Sequence, residues 1–352
     1  MSAFRPMNRA QSGFSLIELM IAVLIGLVVV AAAGSIYISN RRAYAATEAV
    51  SRIQEGSRTA FEMMARDIRE AAAVPCGQGL KVGNSLNPAN VAAGSLLDWS
   101  NGIHGYDNSD PPSWQVGGGV TSVTRVAGTD VLDMHSGYDT GVSVETHNAR
   151  SAEFKVDQAG VVKNGEILMV CDYSQASIFQ VTSANNSNRT VVHNQGNSEW
   201  PGNCTKALGY DATCSTQCNN AGGGAPATQT SSALCKEYGQ NSMIVRMGAA
   251  RWFLGNTAAR GNALYRTSYG ISATGSLQTL TDEIVGGVTD LQFKYLARNG
   301  TAYVDAGSIA DWSDVIAVKV ELKVVENDKL ASGSEAIERD VAFTVNLRNR
   351  VN

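Results

Sequence analysis

Proline is scarce in this chain, with 7 in 352 residues, and charged side chains make up only 17%. Soluble domains carry roughly 25% charged residues, so part of this chain either avoids water or relies on uncharged polar groups. The net charge of −4 lacks the basic excess of a nucleic-acid binder, and no nucleic-acid partner is expected. Histidine is rarer still. His104, His135, His147 and His193 are scattered, with no HExxH spacing and no carboxylate-anchored pair. There is no GxSxG, no P-loop and no GxGxxG ahead of a helix, and the glycine runs at 117–119 and 222–224 read as loops. Asp107 to Asp110 could offer oxygens to calcium but lacks the ligand number and spacing of an EF-hand loop. The chain therefore reads as non-enzymatic, with no catalytic residue, cofactor or metal expected.

What is present begins at the N-terminus. Residues 1–13 are polar and contain Arg5 and Arg9 but no acid, whereas Phe14 to Ile38 is apolar apart from Glu18. As a helix this run is about 37 Å long, enough to cross a hydrocarbon core of about 30 Å with some tilt. The two leading arginines place the N-terminus in the cytoplasm and the body outside, a bias that Arg41 and Arg42 weaken. Glu18 lies near the end of the segment, where a carboxylate can reach the interface.

The cysteines support export independently. Cys76, Cys171, Cys204, Cys214, Cys218 and Cys235 all follow the apolar run, and an even count in an exported chain points to disulfides. The close set from Cys204 to Cys235 favours two local bridges, leaving Cys76 with Cys171. A zinc site at Cys214 and Cys218 is disfavoured, because no second tight pair or nearby histidine accompanies them.

Helical periodicity continues past Ile38. Val50, Ile53, Ser57, Ala60, Phe61, Met64, Ala65, Ile68 and Ala71 share one face, with Arg52, Glu55, Arg58, Glu62, Arg66 and Glu70 on the others. Glu62 and Arg66 form a favourable i, i+4 pair. Pro75 disfavours continuation, so residues 14–74 are expected as one helix, about 90 Å long if unbroken. Its first half spans a membrane or joins a bundle of like helices, and its amphipathic second half packs on the body.

From residue 75 the period changes to two. Val315–Val325 alternates cleanly, with Ile316, Val318, Val320, Leu322 and Val324 opposite Lys319, Glu321 and Lys323. Val341 to Leu347 repeats the pattern after a polar hairpin connection. Further strands are expected at 120–126, 130–134, 142–147, 166–171, 178–181, 190–193, 243–247, 250–254, 263–267 and 288–295, mostly antiparallel. The segments 82–119, with Trp99 and Trp114, and 194–241, with four cysteines, read as insertions. The expected class is α+β: residues 1–13 a leader, 14–74 a membrane and stem helix, and 75–352 a large, mostly antiparallel β body.

The junction Gly13-Phe14-Ser15-Leu16-Ile17-Glu18, at the front edge of the apolar run, resembles that of the type IV pilin superfamily. The resemblance implies cleavage after Gly13 by a prepilin peptidase and N-methylation of Phe14. It also implies that Glu18 pairs with the N-terminal amine of a neighbouring subunit during assembly. The large body, the stretch 284–295 and the ending from Leu347 are similar to PilW-type minor pilins, and J-type pseudopilins of type II secretion look alike. The implied role is to initiate or cap a type IV pilus. The implied partners are other minor pilins, the major pilin and a PilY-type tip adhesin. The chain would sit in the inner membrane as a single-pass protein with its body in the periplasm, and then in the pilus at the cell surface. A third expectation is a tip-displayed binding module using Trp99, Trp114 and the Cys204–Cys235 segment.

Overall fold

A computed structural model describes residues 13–77, 79–91, 94–109, 111, 123–196, 200–218, 233–258, 261–326 and 336–350. Residues 1–12 of the leader, Asp110, Trp114, residues 120–122, both glycine runs and most of the connection after Glu326 lie outside the described residues. The chain divides into two compact units: Met1–Ile53 with Glu326–Ile337, and Gln54–Val325 with Glu338–Asn352.

The first unit is built on α1 (Leu16–Glu70), a helix of 55 residues, about 82 Å at 1.5 Å per residue. An 18-residue window of this helix has a mean hydropathy of 2.8. The large apolar side chains from Leu16 to Ile38 are 52–76% exposed. They cover all sides of the helix, not one stripe, and a helix that is apolar all round requires lipid or other helices around it.

In the second unit α1 becomes one-sided. Ser57, Ala60, Met64, Ala65, Ile68 and Ala71 are buried, at the i, i+3, i+4 spacing of one helical face. Phe61 packs edge-on against Phe343, with ring centroids 4.8 Å apart. The exposed pairs differ from the expected one: Glu62 accepts from Arg58 at 2.8 Å, and Arg66 turns to Glu70. Such exposed pairs contribute little. A partly buried carboxylate does more. Asp67 accepts from the Trp252 indole N–H at 2.8 Å and from Arg266 Nε at 2.7 Å. Asp67→Ala leaves both donors without their acceptor and is expected to cost about 2–3 kcal/mol. The denaturant midpoint should fall at unchanged slope.

The helix ends at Glu70, four residues short of the expected Val74. Ala72 takes a left-handed φ of 60°, well before Pro75 is reached. The backbone then leaves the helix for the sheet: Ala72 N–H donates to His135 O at 2.8 Å, and Gly137 N–H donates to Ala73 O at 2.7 Å.

The body follows in chain order as β1 (Lys81–Asn84), β2 (Ile103–Tyr106), β3 (Thr124–Arg125), β4 (Val131–Asn148), β5 (Glu153–Val156) and β6 (Ile167–Cys171). Next come β7 (Gln175–Gln180), β8 (Ser183–Asn185), β9 (Thr190–Val192), β10 (Met243–Thr257), β11 (Gly261–Ile271) and β12 (Leu277–Gly286). Among the described residues these form one sheet along β1-β7-β6-β10-β4-β5-β9-β8, with β2 on β4, β3 and β11 on β10, and β12 on β11. The described pairings are antiparallel except β1 on β7. A second sheet holds β13 (Val288–Ala297), β14 (Val315–Glu326) and β15 (Ile337–Asn346) in sequence order.

Two differences from the expected strands are of one kind. The segments 130–134 and 142–147 are a single strand, β4, and 243–247 and 250–254 are a single strand, β10. Gly137 and Gly248, in the interior of these strands, are close-approach positions. A Cβ at Gly137 would lie 2.8 Å from Val245, and one at Gly248 would lie 2.4 Å from the Tyr138 ring. β12, rich in Thr, Gln and acids, went unread because only its ends are buried. The segment 82–119 contributes β2 and most of β1 to the large sheet.

Candidate functional site

Gly13, Phe14 and Ser15 precede the helix in irregular backbone, and Phe14 is 89% exposed. The expected cleavage site is thus a non-helical, accessible peptide directly before α1. Ser15 closes the helix end. Its Oγ accepts the Glu18 N–H at 3.2 Å, while Glu18 Oε2 accepts the Ser15 N–H at 3.0 Å. This is a reciprocal capping box that satisfies two of the orphan donors of the first turn. The first intrahelical bond, Leu19 N–H to Ser15 O at 3.1 Å, follows from it.

Sequence reasoning gave Glu18 only an intermolecular task and overlooked Ser15. The serine-x-x-glutamate spacing ahead of an apolar run was the available signal. The two tasks are compatible, because a carboxylate has about four lone-pair positions and capping uses one. Cleavage after Gly13 would create an ammonium at the positive end of the helix dipole, an unfavourable placement that a carboxylate in the first turn offsets.

The six cysteines form three disulfides: Cys76–Cys171, Cys204–Cys214 and Cys218–Cys235. The first ties the end of the stem to β6. The other two lie in 194–241, read above as an insertion. Its described part is instead sewn into the body, with Asn203, Thr205, Ala207, Leu208, Cys218 and Tyr238 all buried. Asn203 accepts the Gln180 N–H at 2.8 Å, and Ser177 Oγ donates to Leu208 O at 2.5 Å. Burial of this polar segment is possible because β7 supplies the partners that its backbone requires.

The histidines, scattered in sequence, come together in pairs. His104 and His135 line one cavity. His147 and His193 face each other with Nε2 atoms 3.2 Å apart, and His147 Nδ1 accepts the Tyr238 N–H at 3.1 Å. That acceptor role puts the His147 proton on Nε2, where it donates to His193. Phe154 and Phe179 enclose the pair. Burial pushes the His147 imidazole down to about 3 and His193 well below its usual range. Both are therefore neutral in the fold. Among the described residues no group of three or more His, Cys, Asp or Glu could hold a metal ion.

A histidine whose folded pKa is depressed contributes stability that is complete above the unfolded value of about 6.5 and lost as pH falls toward the folded value. His147 alone should cost about 1.4 kcal/mol per pH unit over that window, with His193 acting in the same direction. Thermal midpoints measured from pH 7 to 4 should fall steeply, and His193→Phe should flatten the profile.

Asp107 and Trp99 both have partners within the fold. Asp107 accepts the N–H groups of Ala306 and Gly307 at 2.8 and 2.6 Å. Both of its oxygens are thus engaged in capping the short 3-10 turn at 306–308. Trp99 is half-buried against His135 and Tyr269.

Residues 8–34 match the prokaryotic N-terminal methylation motif. No curated protein and no solved structure matches the chain. The motif and the apolar helix that it opens support a type IV pilin-like, membrane-anchored protein with a structural role.

Proposed function

We propose that this chain is a minor pilin that initiates or caps a type IV pilus. The carrying observation is the coupling of the methylation motif to a helix whose first turn is capped by Ser15 and Glu18 and whose apolar surface is exposed all round. In this reading a prepilin peptidase removes residues 1–13 and methylates Phe14. The helix then leaves the inner membrane to bundle with the helices of other minor pilins, and the bundle templates the addition of major pilin. The large body, with three disulfides and two sheets, favours a specialised subunit over the repeating unit of a filament. A PilY-type adhesin is the expected tip partner.

The test is crosslinking and co-purification from sheared filaments. Low abundance beside other minor pilins supports the proposal. Abundance equal to the main subunit would rule out a minor role, and crosslinks to type II secretion components would assign the chain to a pseudopilus as the J-type subunit.

A further inference from the structure

A cavity of about 500 Å3 opens where the chain leaves α1 for the sheet. Its volume lies in the range of small-molecule sites, about 300–1,000 Å3. Val74 and Cys76 reach it from the end of the stem, Val82 from β1, Met169 from β6 and Ala176 from β7. Arg298, just after β13, and Arg350, just after β15, complete it.

The walls divide by chemistry. Val74, Leu80, Val82 and Met169 make one part apolar, and Val82 is 49% exposed. The other part is cationic. Arg298 and Arg350 both line the cavity and both are only partly buried, whereas among the described residues no aspartate or glutamate lines it.

The protein does not neutralise these two charges by contact. Among the described residues neither arginine has a carboxylate within ion-pair distance, and the Arg298 side chain has no hydrogen-bond partner either. The position of Arg298 is fixed by its backbone, whose N–H donates to Asp314 O at 2.8 Å. Arg350 is held by main-chain carbonyls: its Nη1 donates to Trp312 O and, at 3.2 Å, to Val315 O. Burial holds the Arg350 pKa below its usual value. Asp311 and Asp314 oppose that shift, and the charge of Arg298 adds to it. Asp311 is turned to its own turn, where it accepts the Ser313 N–H at 2.8 Å. Two like charges beside one apolar-walled cavity repel each other, and an anion between them reverses the sign of that interaction.

A guanidinium presents parallel N–H donors that match the two oxygens of a carboxylate. The fork of Arg298 is wholly unused, which suits one carboxylate. The apolar walls suit a carbon skeleton, whereas inorganic phosphate would bring further hydrated oxygens against them at a cost. We propose that this cavity binds an organic carboxylate with an apolar body, its charge at Arg298 and Arg350 and its carbon skeleton against Val74, Leu80, Val82 and Met169. A free aliphatic acid and the C-terminal residue of a peptide share this chemistry. The site does not depend on the assembly role proposed above.

The test uses the full-length processed chain in non-ionic detergent and a low-salt buffer free of carboxylate and phosphate. 4-Methylpentanoate, its neutral amide, acetate, N-acetyl-L-leucine and inorganic phosphate are titrated calorimetrically, with empty micelles as the blank. 4-Methylpentanoate or N-acetyl-L-leucine should saturate with a Kd of about 1 mM or tighter. The amide, which lacks the charge, and acetate, which lacks the apolar body, should each bind at least about tenfold more weakly. Arg298→Gln should weaken binding at least about tenfold while leaving the thermal midpoint unchanged or higher, because it removes a charge that has no partner to lose. Val82→Glu, at an exposed position, tethers a competing carboxylate at the cavity and should weaken binding as well. Tighter binding of N-acetyl-L-leucine would identify the ligand as a chain terminus, and tighter binding of 4-methylpentanoate as a free acid. Failure of both organic acids to saturate would overturn the proposal, as would an amide that binds as well as its acid or binding insensitive to both substitutions. Saturation by phosphate alone would make this an inorganic anion site and end the carboxylate assignment.

Discussion

Glu18→Ala should leave removal of the leader intact and abolish incorporation into filaments. The scissile Gly13–Phe14 peptide lies outside the helix, so a substitution one turn inside α1 does not block access to it. Assembly is different. In the proposed assembly the new ammonium of Phe14 enters an apolar bundle, where an unpaired charge is strongly unfavourable, and Glu18 is the only charge between Phe14 and Ile38. The capping box makes a sharper comparison possible. Glutamine at position 18 retains an oxygen to accept the Ser15 N–H and so keeps the cap, but it carries no charge. Glu18→Gln should therefore be cleaved, remain helical at its first turn and still fail to assemble. Immunoblots of leader loss in cells and of the chain in sheared filaments read the two steps separately. Normal incorporation of Glu18→Gln would assign the residue to capping alone.

Asp133→Ala should be the most damaging single change in the body. Asp133 and Arg251 are 1% and 0% exposed, and both carboxylate oxygens lie 2.6 Å from guanidinium nitrogens. Removing the carboxylate leaves a guanidinium charge buried between β4 and β10, the two longest strands. Loss of one partner of a buried pair costs about 3–5 kcal/mol, on the order of a 10 °C fall in melting temperature for a body of this size. The double substitution Asp133→Leu with Arg251→Met should recover most of that loss, since replacing a buried pair with apolar groups is often neutral. Calorimetry of the two variants decides the matter. A double variant as unstable as the single one would show that the strands need the ion pair itself.

The features legible in sequence were those with a local period. The apolar run, the buried face from Ser57 to Ala71 and the alternation along β14 each repeat every few residues, and the burial pattern follows them. Polar partnerships had no such signal. Asp67 meets Arg266 across 199 residues, Asp133 meets Arg251 across 118, and His147 meets His193 across 46. Only the fold brings these groups together. The glycines inside β4 and β10 have a reason that only the fold shows: Gly137 lies against Val245 and Gly248 against the Tyr138 ring. The Ser15–Glu18 cap was local and readable, and it was hidden by the more prominent task expected of the same glutamate.

The way the stem leaves its helix has a mechanical consequence. Beyond Glu70 the chain is held to β4 by the backbone bonds of Ala72 and Ala73, and at Cys76 it is bonded covalently to Cys171 on β6. A tensile load travelling down α1 thus reaches the middle of the large sheet within a few residues of the helix end. The disulfide offers the load a covalent shortcut past the segment between Cys76 and Cys171, so β1 to β5 are shielded from being drawn out in series. Force is delivered to β6, whose neighbours β7 and β10 share it along hydrogen-bonded lengths of strand. The body is anchored as a tether should be, at an interior strand and by a bond that does not slip.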